Sequence, residues 1–138
     1  MKANQAKLKH KGCFVISADT IVYARKTLFF KTSDATLALK NIKLLSGRRH
    51  TVYTGITFIN LKEEAKFYLS KTKIKFKKLS EKEIKDYLKL DEWKDCSGSY
   101  AIQGYGGSFI NFISGSYSSA VGMPLEKIYT IFKNYKLL

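Results

Sequence analysis

The sequence has 138 residues, 45% of them hydrophobic, which is enough for one buried core and too little to predict two. Polar residues follow Met1 directly and no apolar run approaches the ~20 residues of a membrane helix, so we expect a single cytoplasmic domain, residues 1–138, without an export signal or a membrane anchor. The net charge of +14 predicts attraction to polyanions such as nucleotides or nucleic acid, although compositional drift in an AT-rich genome produces the same lysine excess. The two cysteines lack the spacing of a zinc site or a disulfide framework, in agreement with a reducing compartment.

Short apolar runs predict the elements at the start of the chain. Residues 2–9 suit the last turns of a helix that begins upstream. The run at 13–18 predicts a buried strand that ends at Asp19. The apolar segments 21–23 and 28–30 flank a polar turn and are expected to form a small hairpin.

The middle of the chain carries clearer signals. Ser33 can cap the free N–H groups of a helix whose apolar face continues up to Gly47. Alternating apolar residues predict a long strand at 49–60 and an antiparallel partner at 64–77. Since strands alternate with helices, the sequence indicates an α/β domain.

The capping box formed by Ser80 and Glu83 predicts a second helix. The glycine-rich segment 104–107 is expected to be a turn between two strands. Strands are predicted at 100–103 and 109–113. A loop is predicted at 115–122, and a C-terminal helix from Pro124 onward.

Asp19 is the strongest candidate for chemistry. A carboxylate at the end of an apolar strand needs a partner, and ligands of α/β sheets usually bind at strand ends. Asp19 is therefore a candidate metal ligand or general base. The alternative is that its side chain caps a following turn, and the adjacent Thr20 is open to the same two interpretations.

Basic and amide side chains suggest contacts with an anionic ligand. Lys31, Arg48, Arg49 and His50 are candidates for binding phosphate. On the sequence alone, exposed surface charge is the more common explanation of the first three, and His50 fits a hydrogen-bonded structural histidine better. Gln103, within a predicted apolar strand, needs a partner for its amide, which is either a nucleobase edge or backbone.

The aromatic and glycine residues that follow are ambiguous. Tyr100 and Tyr105 either stack on a base or belong to the core. The segment 104–107 is weak as a phosphate loop, because no Lys-Ser/Thr pair follows it and a hairpin turn explains it equally well.

Several segments together resemble the motifs of the Maf family in order and spacing. These segments are 15–20, 45–55, 100–104, 115–117 and 121–125. Lys2-Ala3, a short distance before the first of them, is similar to the Lys-Ala helix motif of that family. The resemblance extends over nearly the whole chain.

The resemblance implies a fold and an activity. The expected architecture is α/β, a mixed sheet with flanking helices like that of the inosine triphosphate pyrophosphatases. Residues 1–138 would form a Maf-like domain that is incomplete at its N-terminus, lacking the first strand, most of the first helix and a Ser-x-Ser-Pro-Arg-Arg-type loop. The implied reaction is hydrolysis of a nucleoside triphosphate, of the dTTP/UTP type or modified, to the monophosphate and pyrophosphate with Mg²⁺ or Mn²⁺. A homodimer is the implied assembly.

By the same resemblance, Asp19 is the proton acceptor or the metal-binding carboxylate. Thr20 and Gln103 would contact the nucleotide, and Lys2 and Lys31 would contact its phosphates. The chain departs from the family pattern at Thr32, Trp93 and Cys96-Ser97-Gly98.

Two other functions remain open. One is a catalytically inactive remnant that at most binds nucleotide. The other is a basic nucleic-acid-binding module that uses Lys73, Lys75, Lys77 and stacked tyrosines. The family resemblance argues against nucleic acid as a partner.

Overall fold

The computed structural model describes residues 2–138 and is organised around one sheet. The strands are β1 (Val15–Ala24), β2 (Thr27–Phe29), β3 (Arg49–Ile59), β4 (Ala65–Phe76) and β5 (Ile110–Ser114). The helices are α1 (Lys2–Lys9), α2 (Ala35–Leu45), α3 (Glu81–Leu88), α4 (Tyr117–Val121) and α5 (Leu125–Asn134). Two short 3₁₀ turns lie at Ser97–Ser99 and Tyr105–Phe109. Within residues 2–138, no helix has both the length and the apolar composition required to span a bilayer.

The strands lie in the order β2-β1-β3-β4-β5. Every pairing between the described strands is antiparallel, so the α/β class with flanking helices is confirmed, whereas the sheet is antiparallel instead of mixed. Two of the four pairings follow from short hairpins, because β1 turns directly into β2 and β3 turns directly into β4, and such hairpins join antiparallel neighbours. The other two pairings, β1 with β3 and β4 with β5, are between strands that α2 and α3 separate in the sequence.

One face of the sheet is buried against α2 and α3. The main core contains Val22, Val52 and Phe76 from the strands, and Ile42 of α2 and Ile84 of α3 pack against them. Burying each such side chain contributes roughly 1.5–3 kcal/mol. The opposite face of the sheet is more open. The alternation of buried and exposed side chains predicted for β4 is confirmed in its C-terminal half.

Local capping chemistry defines the two central helices. The predicted capping box is confirmed: Glu83 N–H donates to Ser80 Oγ at 3.1 Å, and Ser80 N–H donates to Glu83 Oε2 at 2.8 Å. The predicted cap at Ser33 is wrong by one residue. Asp34 is the cap, and its Oδ1 accepts from Thr36 N at 2.8 Å and from Leu37 N at 3.3 Å.

Two predictions near the C-terminus are wrong. Residues 100–103 do not form a strand, because the Ala101 N–H donates to the Tyr87 hydroxyl at 2.9 Å instead of to a neighbouring strand. The predicted loop 115–122 contains α4, which Ser116 caps by accepting from Ser119 N at 3.1 Å. The strand predicted at 109–113 is confirmed as β5, and the helix after Pro124 is confirmed as α5.

His50 is a structural histidine, as the sequence predicts. It is only 3% exposed, its Nε2 lies 2.8 Å from the Tyr100 hydroxyl, and its ring packs edge-on against Phe76. Burial lowers the pKa of His50 from 6.5 to about 4. The folded protein therefore keeps this imidazole neutral in a pH range where the unfolded chain protonates it.

This pKa difference predicts that the free energy of unfolding decreases under mildly acidic conditions. The contribution of His50 is complete above pH 6.5, the pKa of the unfolded chain, and it is lost as the pH falls towards the folded pKa of about 4. From about pH 7 to about pH 5 the loss should be about 2 kcal/mol, because the unfolded state takes up the proton that the folded state refuses. Urea denaturation across this range measures it.

The control variants are His50→Gln and His10→Gln, since His10 is exposed. In His50→Gln the free energy of unfolding should depend less steeply on pH than in the wild type. In His10→Gln its pH dependence should equal that of the wild type. An unchanged slope in His50→Gln would contradict the assignment.

Candidate active site

A cavity of about 180 Å³ opens beside the middle of β1. Its walls come from β1 and β3, from the residue two positions after β2, from the segment 95–103 and from the end of α4. The lining includes Asp19, Thr20, Lys31 and Gln103, together with Ser97, Tyr100 and Gly122. The structure thus brings together four of the five residues to which the family resemblance assigns a role.

A second hollow of about 350 Å³ adjoins the first. It shares Asp19, Thr20, Lys31 and Ser97 with the cavity, and it adds Lys2, the fifth predicted residue. The two spaces therefore meet at Asp19 and Lys31. Of the two spaces, Gln103 lines only the first and Lys2 lines only the second. The amide of Gln103 and the ammonium group of Lys2 therefore lie at opposite ends of the combined site.

Asp19 lies in the middle of β1, so the prediction that a strand ends there is wrong. β1 continues to Ala24 and pairs Asp19 with Gly55 of β3. No turn follows Asp19, which also removes the capping alternative. A carboxylate is tolerated here because its side chain is 61% exposed. It projects from the face of the sheet opposite to Val22, which belongs to the main core, and so it remains in contact with solvent.

The Asp19 carboxylate contacts Lys2 at the start of α1. Lys2 Nζ lies 3.2 Å from Asp19 Oδ1, and both side chains are 61% exposed. The same Oδ1 accepts from Thr20 N at 3.1 Å, while Oδ2 has no hydrogen-bond or ion-pair partner within residues 2–138. A cation at a helix N-terminus is disfavoured by the helix dipole. The neighbouring carboxylate offsets this at Lys2.

Thr20 points towards the opposite face of the sheet, where it joins a chain of hydrogen bonds. Its Oγ1 lies 3.0 Å from Thr54 Oγ1 on β3, and Thr54 Oγ1 donates to the Ser119 carbonyl at 2.7 Å. Ser97 Oγ donates to the Thr20 carbonyl at 2.7 Å. Thr20 is therefore held by both its side chain and its backbone.

Lys31 and Gln103 face the same space from two loops. Lys31 is exposed and forms no ion pair with any described residue. Gln103 lies in the turn closed by the hydrogen bond from Gly104 N to Ala101 O at 3.1 Å. The expectation that its amide is enclosed in a strand is wrong, because the residue is exposed at the cavity wall.

Glu92 holds the segment after Gln103, and the sequence analysis does not identify it. Its carboxylate accepts from Tyr105 N at 3.2 Å and from Gly106 N at 2.9 Å. A Cβ at Gly104 would overlap this carboxylate, so a larger residue there would displace the Glu92 side chain from its present position. The two backbone N–H groups are committed to Glu92 and not available to a phosphate. No local pattern reveals this contact, because its partners are 13 and 14 residues away along the chain.

The other predicted phosphate contacts lie elsewhere. Arg48 Nη1 donates to the Leu44 carbonyl at 2.9 Å, and the Arg49 guanidinium lies 5.3 Å from the centre of the Phe112 ring. Neither arginine lines either space, and both side chains are exposed, so the structure supports the alternative that they are surface charges. Tyr100 belongs to the core, where burial raises the pKa of its hydroxyl.

Comparison with known proteins places this sequence in a family. A family model described as "Maf-like protein" matches residues 1–135. A dTTP/UTP pyrophosphatase of Wolbachia pipientis wMel is 40% identical over 136 residues, which cover 97% of this chain and 68% of the relative. A dTTP/UTP pyrophosphatase of Zymomonas mobilis is 41% identical over 124 residues, 90% of this chain and 61% of the relative. That of Bradyrhizobium diazoefficiens is 38% identical over 131 residues, 95% of this chain and 63% of the relative. The chain therefore belongs to the Maf-like protein family.

Proposed function

We propose that this chain is a nucleoside triphosphate pyrophosphatase that hydrolyses dTTP, UTP or a closely similar nucleotide to the monophosphate and pyrophosphate. The observation that carries the proposal is the convergence of the Asp19 carboxylate, two lysines, the Thr20 hydroxyl and the exposed amide of Gln103 on two adjoining spaces. The names of the relatives support the choice of substrate.

The two spaces suggest how the nucleotide lies. The cavity of about 180 Å³ contains Gln103 and Thr20, which suit the polar edge of a base. The adjoining hollow contains Lys2 and Lys31, whose charges suit the phosphates. In phosphoryl transfer a protein contributes mainly position and charge neutralisation, and lysine is well suited as a point charge for phosphate. Asp19, where the two spaces meet, then lies beside the α-phosphate.

Asp19 is the proposed proton acceptor. A water molecule attacks the α-phosphorus, its oxygen forms the new P–O bond, and its proton goes to the carboxylate. The bond between the α-phosphorus and the oxygen that bridges to the β-phosphorus breaks, and pyrophosphate leaves with that electron pair. The exposure of the Asp19 side chain on the open face of the sheet gives both water and phosphate access to it.

A divalent cation, Mg²⁺ or Mn²⁺, fits these residues. Magnesium in phosphate sites is commonly held by one or two carboxylates together with the substrate phosphates and water. Asp19 Oδ2, which has no partner among the described residues, suits a ligand position, and Asp95 lines the same cavity. No cluster of three or more His, Cys, Asp or Glu exists within residues 2–138, so the phosphates would complete the coordination. When bound, such a cation neutralises phosphate charge and polarises the reacting phosphoryl group.

The nucleic-acid-binding alternative has less support. Of its three predicted lysines, Lys77 forms an ion pair with Glu83 at 2.8 Å, and Lys75 is half-buried. Lys73 remains exposed on the outer face of β4. Of the three lysines, only Lys73 is both exposed and outside any ion pair among the described residues. This surface supports nucleic-acid binding less strongly than the site beside β1 supports nucleotide binding.

Replacing Asp19 tests the proposed proton acceptor. Asp19→Asn keeps the size of the side chain and removes its basicity, so the rate of pyrophosphate release from UTP and dTTP should fall by roughly 10²–10⁴-fold. Asp91→Asn is the matched control, because Asp91 is an exposed acid paired with Lys94 outside the site. Equal background release by the wild type and Asp19→Asn would refute the proposal.

Lys31 should matter for the same reaction through its charge. Lys31→Gln removes a cation beside the phosphates and should lower kcat/KM about 10–100-fold, since charge stabilisation in the transition state is lost. Lys127→Gln, an exposed lysine on α5, serves as the control and should be neutral. Steady-state kinetics with UTP distinguishes the two variants, and identical values for both would count against the assignment of Lys31.

Metal removal should abolish turnover reversibly. After treatment with a chelator, pyrophosphate release should stop and should return on addition of Mg²⁺ or Mn²⁺, because the cation is needed to neutralise the phosphates. The melting temperature without nucleotide should change little, because a single exposed carboxylate binds free metal weakly. Full activity in the presence of excess chelator would exclude the metal.

A further inference from the structure

The chain of hydrogen bonds behind Thr20 has a defined direction. Thr20 and Thr54 are paired across β1 and β3, and their hydroxyl oxygens lie 3.0 Å apart. Thr54 is completely buried, and its Oγ1 lies 2.7 Å from the carbonyl oxygen of Ser119. That carbonyl lies at the end of α4, where Gly122 N–H also donates to it at 3.0 Å.

Counting protons sets the polarity of each bond. A hydroxyl has one proton, and a carbonyl oxygen has none and can only accept. Thr54 must therefore give its proton to Ser119 O, since two oxygens at 2.7 Å without a proton between them would repel each other. Thr54 can then only accept from Thr20. The hydroxyl proton of Thr20 points towards Thr54, away from the cavity. The hydroxyl oxygen of Thr20 therefore faces the cavity with a lone pair, as a hydrogen-bond acceptor.

Gln103, on the other side of the cavity, has no such constraint. Its side chain is exposed, and its amide has no hydrogen-bond partner in the part of the chain that the structure describes. An amide offers a donor on one side and an acceptor on the other. Gln103 can turn to suit either kind of base edge, so it cannot by itself separate bases that differ by exchanging donors and acceptors.

Uracil and cytosine differ in this way. Uracil and thymine carry a proton on ring nitrogen N3, whereas N3 of cytosine is a bare acceptor. We propose that Thr54 and Ser119 O hold the Thr20 hydroxyl as an acceptor, and that this fixed polarity selects a base with a ring N–H donor, uracil or thymine, over cytosine. Thr54 is a positioning residue that acts through Thr20. The inference rests on the proposed function, because it takes a nucleoside triphosphate as the ligand of this site.

The test measures binding, so that it does not depend on turnover. The dissociation constants of the α,β-methylene analogues of UTP and CTP are measured for the wild type and for Thr54→Val. The wild type should bind the UTP analogue more tightly. In Thr54→Val the hydroxyl of Thr20 is free to turn and donate, so the preference should shrink at least about tenfold.

The neighbouring strand supplies a matched control. Thr72 on β4 is also completely buried, and its Oγ1 donates to the Ser116 carbonyl at 3.0 Å. Thr72→Val therefore removes the same kind of bond without altering the partner of Thr20, and its preference should equal that of the wild type. Thr54→Ser keeps the hydroxyl that donates to the Ser119 carbonyl, so it should retain the wild-type preference for the UTP analogue. If the Thr54 methyl group mattered only for packing, Thr54→Ser would lose the preference as Thr54→Val does.

A ligand-side measurement covers the case that Thr54→Val fails to fold. The wild type should bind a uridine nucleotide methylated at N3 at least about tenfold more weakly than one methylated at C5, since only the former lacks the N–H donor. Equal binding of the two, a wild type without preference for the uracil analogue, or an unchanged preference in folded Thr54→Val would each overturn the inference. If the wild type hydrolyses UTP but Thr54→Val keeps the wild-type preference, the proposed pyrophosphatase function stands and only this inference fails. If the wild type prefers the UTP analogue but hydrolyses no nucleotide, only the proposed function fails.

Discussion

The register between β1 and β3 is the constraint on which the site depends. It pairs Asp19 with Gly55 and Thr20 with Thr54, so two adjacent residues send their side chains to opposite faces of the sheet. Asp19 meets Lys2 of α1 on one face, and Thr20 meets Thr54 on the other. A slip of one residue would exchange the two faces and separate both pairs. The nine paired positions between these strands therefore determine on which face Asp19 meets a lysine and on which face Thr20 meets a neutral hydroxyl.

The segment around Gln103 shows a second use of buried polar contacts. The Tyr87 hydroxyl accepts from Ala101 N before Gln103, and the Glu92 carboxylate accepts from Tyr105 and Gly106 after it. Burial, together with the neighbouring Glu92, raises the pKa of Tyr87. Because both ends of the turn are held by side chains from elsewhere in the chain, its backbone is restrained while the amide of Gln103 remains free to rotate.

The sequence predicts those parts of the structure whose causes are local. The capping box at Ser80 and the alternation along β3 lie within a few residues, and both are found as predicted. The strand through Asp19 extends beyond its predicted end because pairing with β3, more than thirty residues away, outweighs the polarity of Asp19. The same applies to residues 100–103, whose backbone bonds to the distant Tyr87. Within the site, the candidate residues followed from the motifs, whereas Glu92 and Thr54 act through contacts that no spacing in the sequence reveals.

The two ends of the site differ in how easily their contacts can be exchanged. The ion pair between Lys2 and Asp19 is largely exposed, and such pairs contribute little to stability. A phosphate or a metal ion can therefore take either partner at small cost to the fold. The bond from Thr54 to Ser119 O is buried, and breaking it would leave polar atoms without partners in a low-dielectric environment, which is expensive. A site that must release pyrophosphate after each turnover benefits from weak, exposed charges where the phosphates bind, whereas discrimination between bases requires a group that the ligand cannot reorient.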